Sequence, residues 1–211
     1  MERLRILYAK TEPLRYTSNL DVHKTWERTL RRSQLPLSYS QGFHPQPRMI
    51  QACPLPLGLT SVCEIIDLWL DADISLDIIE PALSKAMPPG LEILRLSLAN
   101  LQEPALPTQV IASEYQAILL EPMAGIELEG RIKNMLEANQ IPRFRHGKNY
   151  DLRPLVEGLQ LLPENDHRPT LFMRLSAREG ATGRPEEVLS ALNLDSMAAR
   201  IQRVSLIFKT T

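Results

Sequence analysis

Residues 14–58 read LRYTSNLDVHKTWERTLRRSQLPLSYSQGFHPQPRMIQACPLPLG, and the order of signals in them decides the fold. Thr17-Ser18-Asn19 offers a helix N-cap, and Asp21, three residues after Ser18, completes a capping-box pattern. The spacing predicts a helix from there to about Ser33. Val22, Trp26 and Leu30 form its buried stripe, flanked by Leu20, with Lys24, Arg28, Arg31 and Arg32 on the opposite side. Pro36 stops the helix, since its ring removes a donor and fixes φ. Leu37–Ser40 and Met49–Ala52 then read as extended, split by Gly42 and the prolines of GFHPQPR.

Outward from this helix the pattern closes into a unit. Before it, Leu4, Ile6 and Tyr8 alternate with Arg3, Arg5 and Leu7, a strand over Arg3–Ala9. After it, Val62–Leu70 is rich in β-branched and aromatic positions, Asp73 or Ser75 caps a second helix through Met87, and Leu91–Leu98 is a fourth strand. The order is β-α-β-β-α-β, the ferredoxin-like pattern. It recurs beyond a Pro-containing stretch, Leu101–Pro107. Strands are expected at Glu114–Leu120, Thr170–Ser176 and Ile201–Phe208, helices at Ile126–Asn139 and Pro185–Leu192, and two weaker extended pieces within 143–162. The expectation is an α+β protein of two tandem ferredoxin-like (βαββαβ) units: an N-terminal domain over 1–100, a linker over 101–110 and a C-terminal domain over 111–211.

Composition narrows the class. The chain has 211 residues, 44% hydrophobic and 23% charged, as ordinary globular proteins do. No window approaches 18 consecutive apolar residues, so no membrane span is expected. The start, MERLRILYAK, has charges inside its apolar run and no cleavage-site pattern, so a cytoplasmic location is expected. The two cysteines, Cys53 and Cys63, read as free thiols and are too few for an iron–sulfur cluster held by this chain alone. No HxxxH, HExxH or Cys/His cluster occurs, so neither a metal nor another cofactor is expected.

The net charge of −1 hides an asymmetry. Residues 1–48 hold nine basic and four acidic side chains, residues 49–107 two and eight, and residues 108–211 thirteen of each. A local basic patch is the footprint of an anionic partner. The candidate RNA- or anion-binding residues are Arg15, Lys24, Arg28, Arg31, Arg32 and Arg48 for phosphates, with Phe43 and His44 to stack or read a base. His44 is also the weak candidate for an acid or base, with Tyr39 or Ser40 nearby and Arg48 as charge stabiliser. His23 reads as a packed helix residue, and His146 and His167 fall in loops without ligand-like companions. A second basic cluster is Arg131, Lys133, Arg143, Arg145, Lys148 and Arg153. The stretch 178–185, REGATGRP, precedes a helix and could hold an anion on its amides, but it lacks Walker spacing. Against each stands a plainer alternative: a solvated helix face, a structural crossover loop with Phe43 in the core, or separate surface charges.

The same stretch resembles the bacterial radical-SAM-linked protein family, whose members carry Y/F-x-S-H-L-D, then E-R-x-x-R-R-x-x-L-P, S-x-G-F-N-P-H-P-R and L-P-L-G. The matching residues are Tyr16, Ser18, Leu20 and Asp21; Glu27, Arg28, Arg31, Arg32, Leu35 and Pro36; Ser40, Gly42, Phe43, Pro45, Pro47 and Arg48; and Leu55 through Gly58. Asn19, His44 and Gln46 depart from the pattern, standing where the family has His, Asn and His. Members are fused to or encoded beside a radical-SAM protein, often near genes of RNA processing and the ribosome. The resemblance implies a radical-SAM protein as partner and an accessory role. Three readings follow: an RNA-binding module or RNA-processing accessory protein with RNA or a ribonucleoprotein as partner, an accessory subunit docked on a radical-SAM enzyme, or a metal-independent endoribonuclease.

Overall fold

A computed structural model describes residues 1–121, 124–145, 147–165 and 168–209, and His146 and His167 lie outside the described residues. The chain is a mixed α/β protein with a mostly antiparallel sheet, and it divides into two units, Met1–Gln109 and Val110–Thr211.

In the first unit the elements are β1 (Glu2–Lys10), α1 (Asn19–Ser33), β2 (Met49–Gln51), β3 (Thr60–Leu70), α2 (Leu76–Ala86), β4 (Leu91–Ala99) and the short α3 (Leu106–Gln109). The strand order is β4-β1-β3-β2, antiparallel throughout. Leu4, Ile6 and Tyr8 lie opposite Leu68, Ile66 and Glu64, so one sheet face gathers the apolar residues under both helices. Val22, Trp26 and Leu30 of α1 and Ile79 and Leu83 of α2 complete that core, with Trp26 set edge-on to Tyr8 at 4.9 Å between ring centroids. Leu20 does not flank the stripe. It is 72% exposed, because at 100° per residue it falls on the same face as Lys24, Arg28 and Arg31 rather than beside the buried stripe.

The other face of this sheet is polar and tightly held. Arg3 and Arg5 both donate to the buried Asp67 carboxylate, at 2.7 and 2.8 Å. Arg3 also donates to the carbonyls of Glu103 and Pro104, so the stretch 101–107 is fastened to the first unit before β5 begins.

In the second unit follow β5 (Val110–Leu119), α4 (Gly125–Glu137), the hairpin strands β6 (Pro142–Arg145) and β7 (Lys148–Asp151), β8 (Val156–Asn165), β9 (Arg168–Arg178), β10 (Ala181–Thr182), α5 (Pro185–Ala191) and β11 (Ala199–Phe208). The long strands lie in the order β11-β5-β9-β8, again antiparallel, so the second unit repeats the strand order of the first. Its core comes from Leu128, Ile132 and Met135 of α4, Leu171, Met173 and Leu175 of β9, and Val188 and Leu189 of α5. The weak patterning of 143–162 has two causes. β6 and β7 pair only with each other, and a bulge in β8 between Val156 and Gly158 breaks the alternation that betrays a strand. Among the described residues no helix is long and apolar enough to cross a membrane.

Candidate nucleic-acid interface

The start of α1 is built by buried cations. Lys10, 2% exposed, continues the Leu4-Ile6-Tyr8 face of β1 and donates to the carbonyls of Arg15, Thr17 and Leu59 at 3.3, 3.1 and 3.2 Å. Arg15 Nε donates to the Gly58 carbonyl at 2.7 Å while the Gly58 amide donates back to the Arg15 carbonyl at 3.1 Å. The Arg15 guanidinium lies 5.3 Å over the Tyr16 ring. The segments around Tyr16 and around Leu55–Gly58 thus meet as one clasp. Arg15, expected to meet phosphate, is 5% exposed and serves this clasp instead. The sequence signal was present in Lys10, which shares the parity of three buried strand residues.

From that fixed start α1 carries a single exposed strip. Leu20, Lys24, Arg28 and Arg31 follow at steps of four, four and three, the spacing that aligns side chains on one helix face, and all four are exposed. Among the described residues, no carboxylate pairs with Lys24, Arg28 or Arg31. Arg32 points elsewhere. Its Nε and Nη2 donate to the Ala86 carbonyl at the end of α2, where a cation satisfies a carbonyl that the helix leaves unpaired. His23 Nε2 lies 3.6 Å from Glu27 Oε1 one turn on, half-exposed rather than packed.

The strip ends at the Pro-braced loop. Tyr39 bridges Pro47, the Ser40 amide donates to the Gln46 carbonyl at 2.8 Å, and the Gln46 amide donates to Ser40 Oγ at 3.0 Å. Gly42 has φ +136°, open only to glycine, and turns the chain at the tip. Gln46 Oε1 accepts from Arg31 Nη2, tying loop to helix. Phe43 is fully exposed and fills no core, and His44 is exposed beside it.

Arg48 does not converge on this group. Met49 faces the core opposite Leu68, so the preceding residue falls on the other sheet face. There its guanidinium lies 5.0 Å over the Trp69 ring, which Arg3 also approaches at 5.5 Å, and its Nη1 reaches Met1 Sδ at 3.5 Å. Of the constellation of His44, Tyr39 and Arg48 that an endoribonuclease would use, Arg48 is engaged at Trp69 and Met1. Cys53 and Cys63 are half-buried, with Cys53 Sγ 3.8 Å from the Pro54 carbonyl and Cys63 Sγ 3.6 Å from Ser61 Oγ. Among the described residues, no group of three His, Cys, Asp or Glu side chains could hold a metal ion.

The second basic cluster is mostly occupied. Arg131 donates to the Leu192 and Asn193 carbonyls past α5, at 2.8 and 3.2 Å. Arg153 donates to the Leu136 carbonyl near the end of α4 at 3.0 Å. Lys133 pairs with Glu137 and Arg143 with Glu187, at 3.9 and 3.8 Å. Arg145 and Lys148 remain. After REGATGRP, Glu186 and Glu187 put negative charge in the first turn of α5, where an anion would have to sit.

No curated protein matches the sequence. Among solved structures, the chain is similar to one in the crystal structure of a Cbf5-Nop10-Gar1 complex, with a TM-score of 0.53, 9% identity, and coverage of 96% of this chain and 48% of that one. The chain thus spans about half of that protein, and the likeness is one of fold. A protein assigned as a glycine cleavage system transcriptional repressor matches with a TM-score of 0.25 and 9% identity over 100% of this chain and 98% of its own. A family model does match: it covers residues 3–185, and the chain belongs to the family described as "Uncharacterized protein conserved in bacteria (DUF2344)".

Proposed function

We propose that this protein is an RNA-binding module, built of two tandem ferredoxin-like units, that grips RNA with the α1 strip and the Gly42–Gln46 loop of its first unit. Lys24, Arg28 and Arg31 hold successive phosphates, and Phe43 with His44 stacks or reads an unpaired base. One observation carries the reading: three cations without carboxylate partners among the described residues lie in line on one helix face and lead to a braced loop whose Phe is fully exposed. Exposed guanidinium and ammonium groups release condensed counterions when they meet a nucleic-acid backbone, and an exposed aromatic ring stacks on any base. A cytoplasmic setting goes with this reading.

Fluorescence anisotropy against labelled single-stranded and structured RNAs, over a series of salt concentrations, tests it. Arg28→Glu/Arg31→Glu is expected to weaken binding and to shallow the slope of log K against log salt by about 1.4, the share of two phosphate contacts on a single strand. Unchanged affinity and slope in that variant would end the proposal.

A second reading rests on the resemblance to the radical-SAM-linked family and on the exposed Tyr16 and Leu20 beside the strip, 64% and 72% accessible. In it the same face docks on a radical-SAM enzyme and positions that enzyme's substrate. Co-purification with such an enzyme in salt too high for phosphate contacts would favour it, and loss of the complex in high salt would count against it.

A further inference from the structure

Resting on the RNA-binding reading above, we infer that the β6–β7 hairpin of the second unit is a further contact, and that its ligand is unpaired RNA: Phe144 stacks on a base while Arg145 and Lys148 hold the flanking phosphates. The hairpin is an addition to the repeated strand order, inserted between the first helix of its unit, α4, and the strand β8 that follows. Its base is pinned. The Asp151 carboxylate accepts from the amides of Ile141 and Arg153 at 2.7 and 3.0 Å, and the Leu152 amide donates to the Ile141 carbonyl at 2.9 Å. Beyond that base each arm is four residues long and pairs only with the other.

The register sorts the side chains. Arg143 lies opposite Tyr150 and Arg145 opposite Lys148 on one face, while Phe144 lies opposite Asn149 on the other. Arg143 and Tyr150 are engaged at Glu187. Arg145 and Lys148 have no carboxylate partner among the described residues, and Phe144 is 69% exposed. Stability gives little reason for a Phe there, since most of its surface stays in solvent.

The first unit shows the same combination at the same point in its order. Between its first helix, α1, and β2 it inserts the Gly42–Gln46 loop, with Phe43 fully exposed and, alongside, the α1 cations that have no carboxylate partner among the described residues. The loop is Pro-braced and the hairpin is a two-stranded ribbon, so shared local structure does not account for the shared chemistry. An exposed Phe on one face of a narrow ribbon, with cations lacking carboxylate partners among the described residues on the other, suits a single strand passing over the ribbon's edge, since only an unpaired base offers its face. An acidic protein surface would use the cations and leave the ring idle.

The test is anisotropy with a labelled single-stranded oligouridine and, in parallel, an RNA duplex of the same length, using the full chain. Phe144→Ala is expected to weaken single-strand binding roughly tenfold, with the salt slope kept. Phe144→Trp should retain parental affinity, and duplex binding should not respond to either change. Arg145→Glu/Lys148→Glu should weaken binding and shallow the salt slope by about 1.4. Phe144 and Lys148 are exposed and Arg145 is half-buried, and each variant's unfolding temperature is read alongside to show that it folds as the parent does. If both hairpin variants bind as the parent does while Arg28→Glu/Arg31→Glu fails, the hairpin inference falls and the RNA-binding reading stands. If only the charge variant weakens binding, stacking by Phe144 is overturned. If the parent binds neither RNA, both fall together.

Discussion

Arg48 shows how one residue's parity can reassign it. In the sequence it closes a basic, Pro-braced motif and looks bound for phosphate. In the fold it precedes a core-facing Met49, so it is carried to the opposite sheet face and laid on Trp69. There it shares the ring with Arg3, which is itself fixed on the buried Asp67. An exposed cation over an indole contributes about 0.5–1 kcal/mol. Arg48→Ala is therefore expected to lower unfolding stability by about that amount, read from urea denaturation, and to leave RNA affinity within about twofold of the parent. A large loss of affinity at unchanged stability would return Arg48 to the binding surface. Arg15 and Arg32 moved for related reasons: a guanidinium near unsatisfied carbonyls is drawn to them, and both are consumed by backbone oxygens.

At the scale of the element, α1 is set by its first turn. Ser18 Oγ accepts from the Asp21 amide at 3.2 Å and donates to the Asp21 carboxylate at 2.7 Å. Ser18→Ala should cost about 1 kcal/mol, read from thermal or urea unfolding, whereas Thr at that position should restore most of it. A silent Ser18→Ala would mean that the Lys10 clasp alone fixes the start of α1. This element was legible beforehand because cap, stripe and terminator agree on its limits. The same agreement made β1, β3 and α2 readable. β8 was not, because its bulge places buried Val156 and Leu159 three apart, a spacing that belongs to no strand. The site was legible in part for a similar reason. Periodicity gave the line of Lys24, Arg28 and Arg31, which is a property of one helix. The Arg31–Gln46 tie, the clasp of Lys10 and the helix-ending roles of Arg32 and Arg131 depend on residues far apart in sequence, and no local pattern carries them.

Across the whole molecule, charge is distributed so that each unit has its own pH limit. In the first unit burial works to raise the Glu103 carboxyl, but the Asn100 amide at 3.3 Å and Arg5 at 3.0 Å outweigh it and hold it below its ordinary value of 4.5. Arg5 is held charged in turn, its hydrogen bond to Asp67 outweighing the opposite effect of burial. A carboxylate with a lowered folded pKa contributes stability above its unfolded pKa and loses it as pH falls through the folded one. In the second unit burial, and next the charge of Glu187, push the Tyr150 phenol above its ordinary 10.0, against Arg145 and Arg143. A raised folded pKa contributes below the unfolded value and is lost as pH climbs through the folded one. Glu103 should therefore contribute to the loss of stability in acid, and Tyr150 to the loss in alkali. Urea midpoints measured from about pH 3 to 6 and from about pH 9 to 11 would expose both. Glu103→Gln should flatten the acid limb and leave the alkaline one alone, and Tyr150→Phe should do the reverse. If Glu103→Gln leaves the acid limb at full slope, the tie between Arg5 and the stretch after β4 is not what acid breaks.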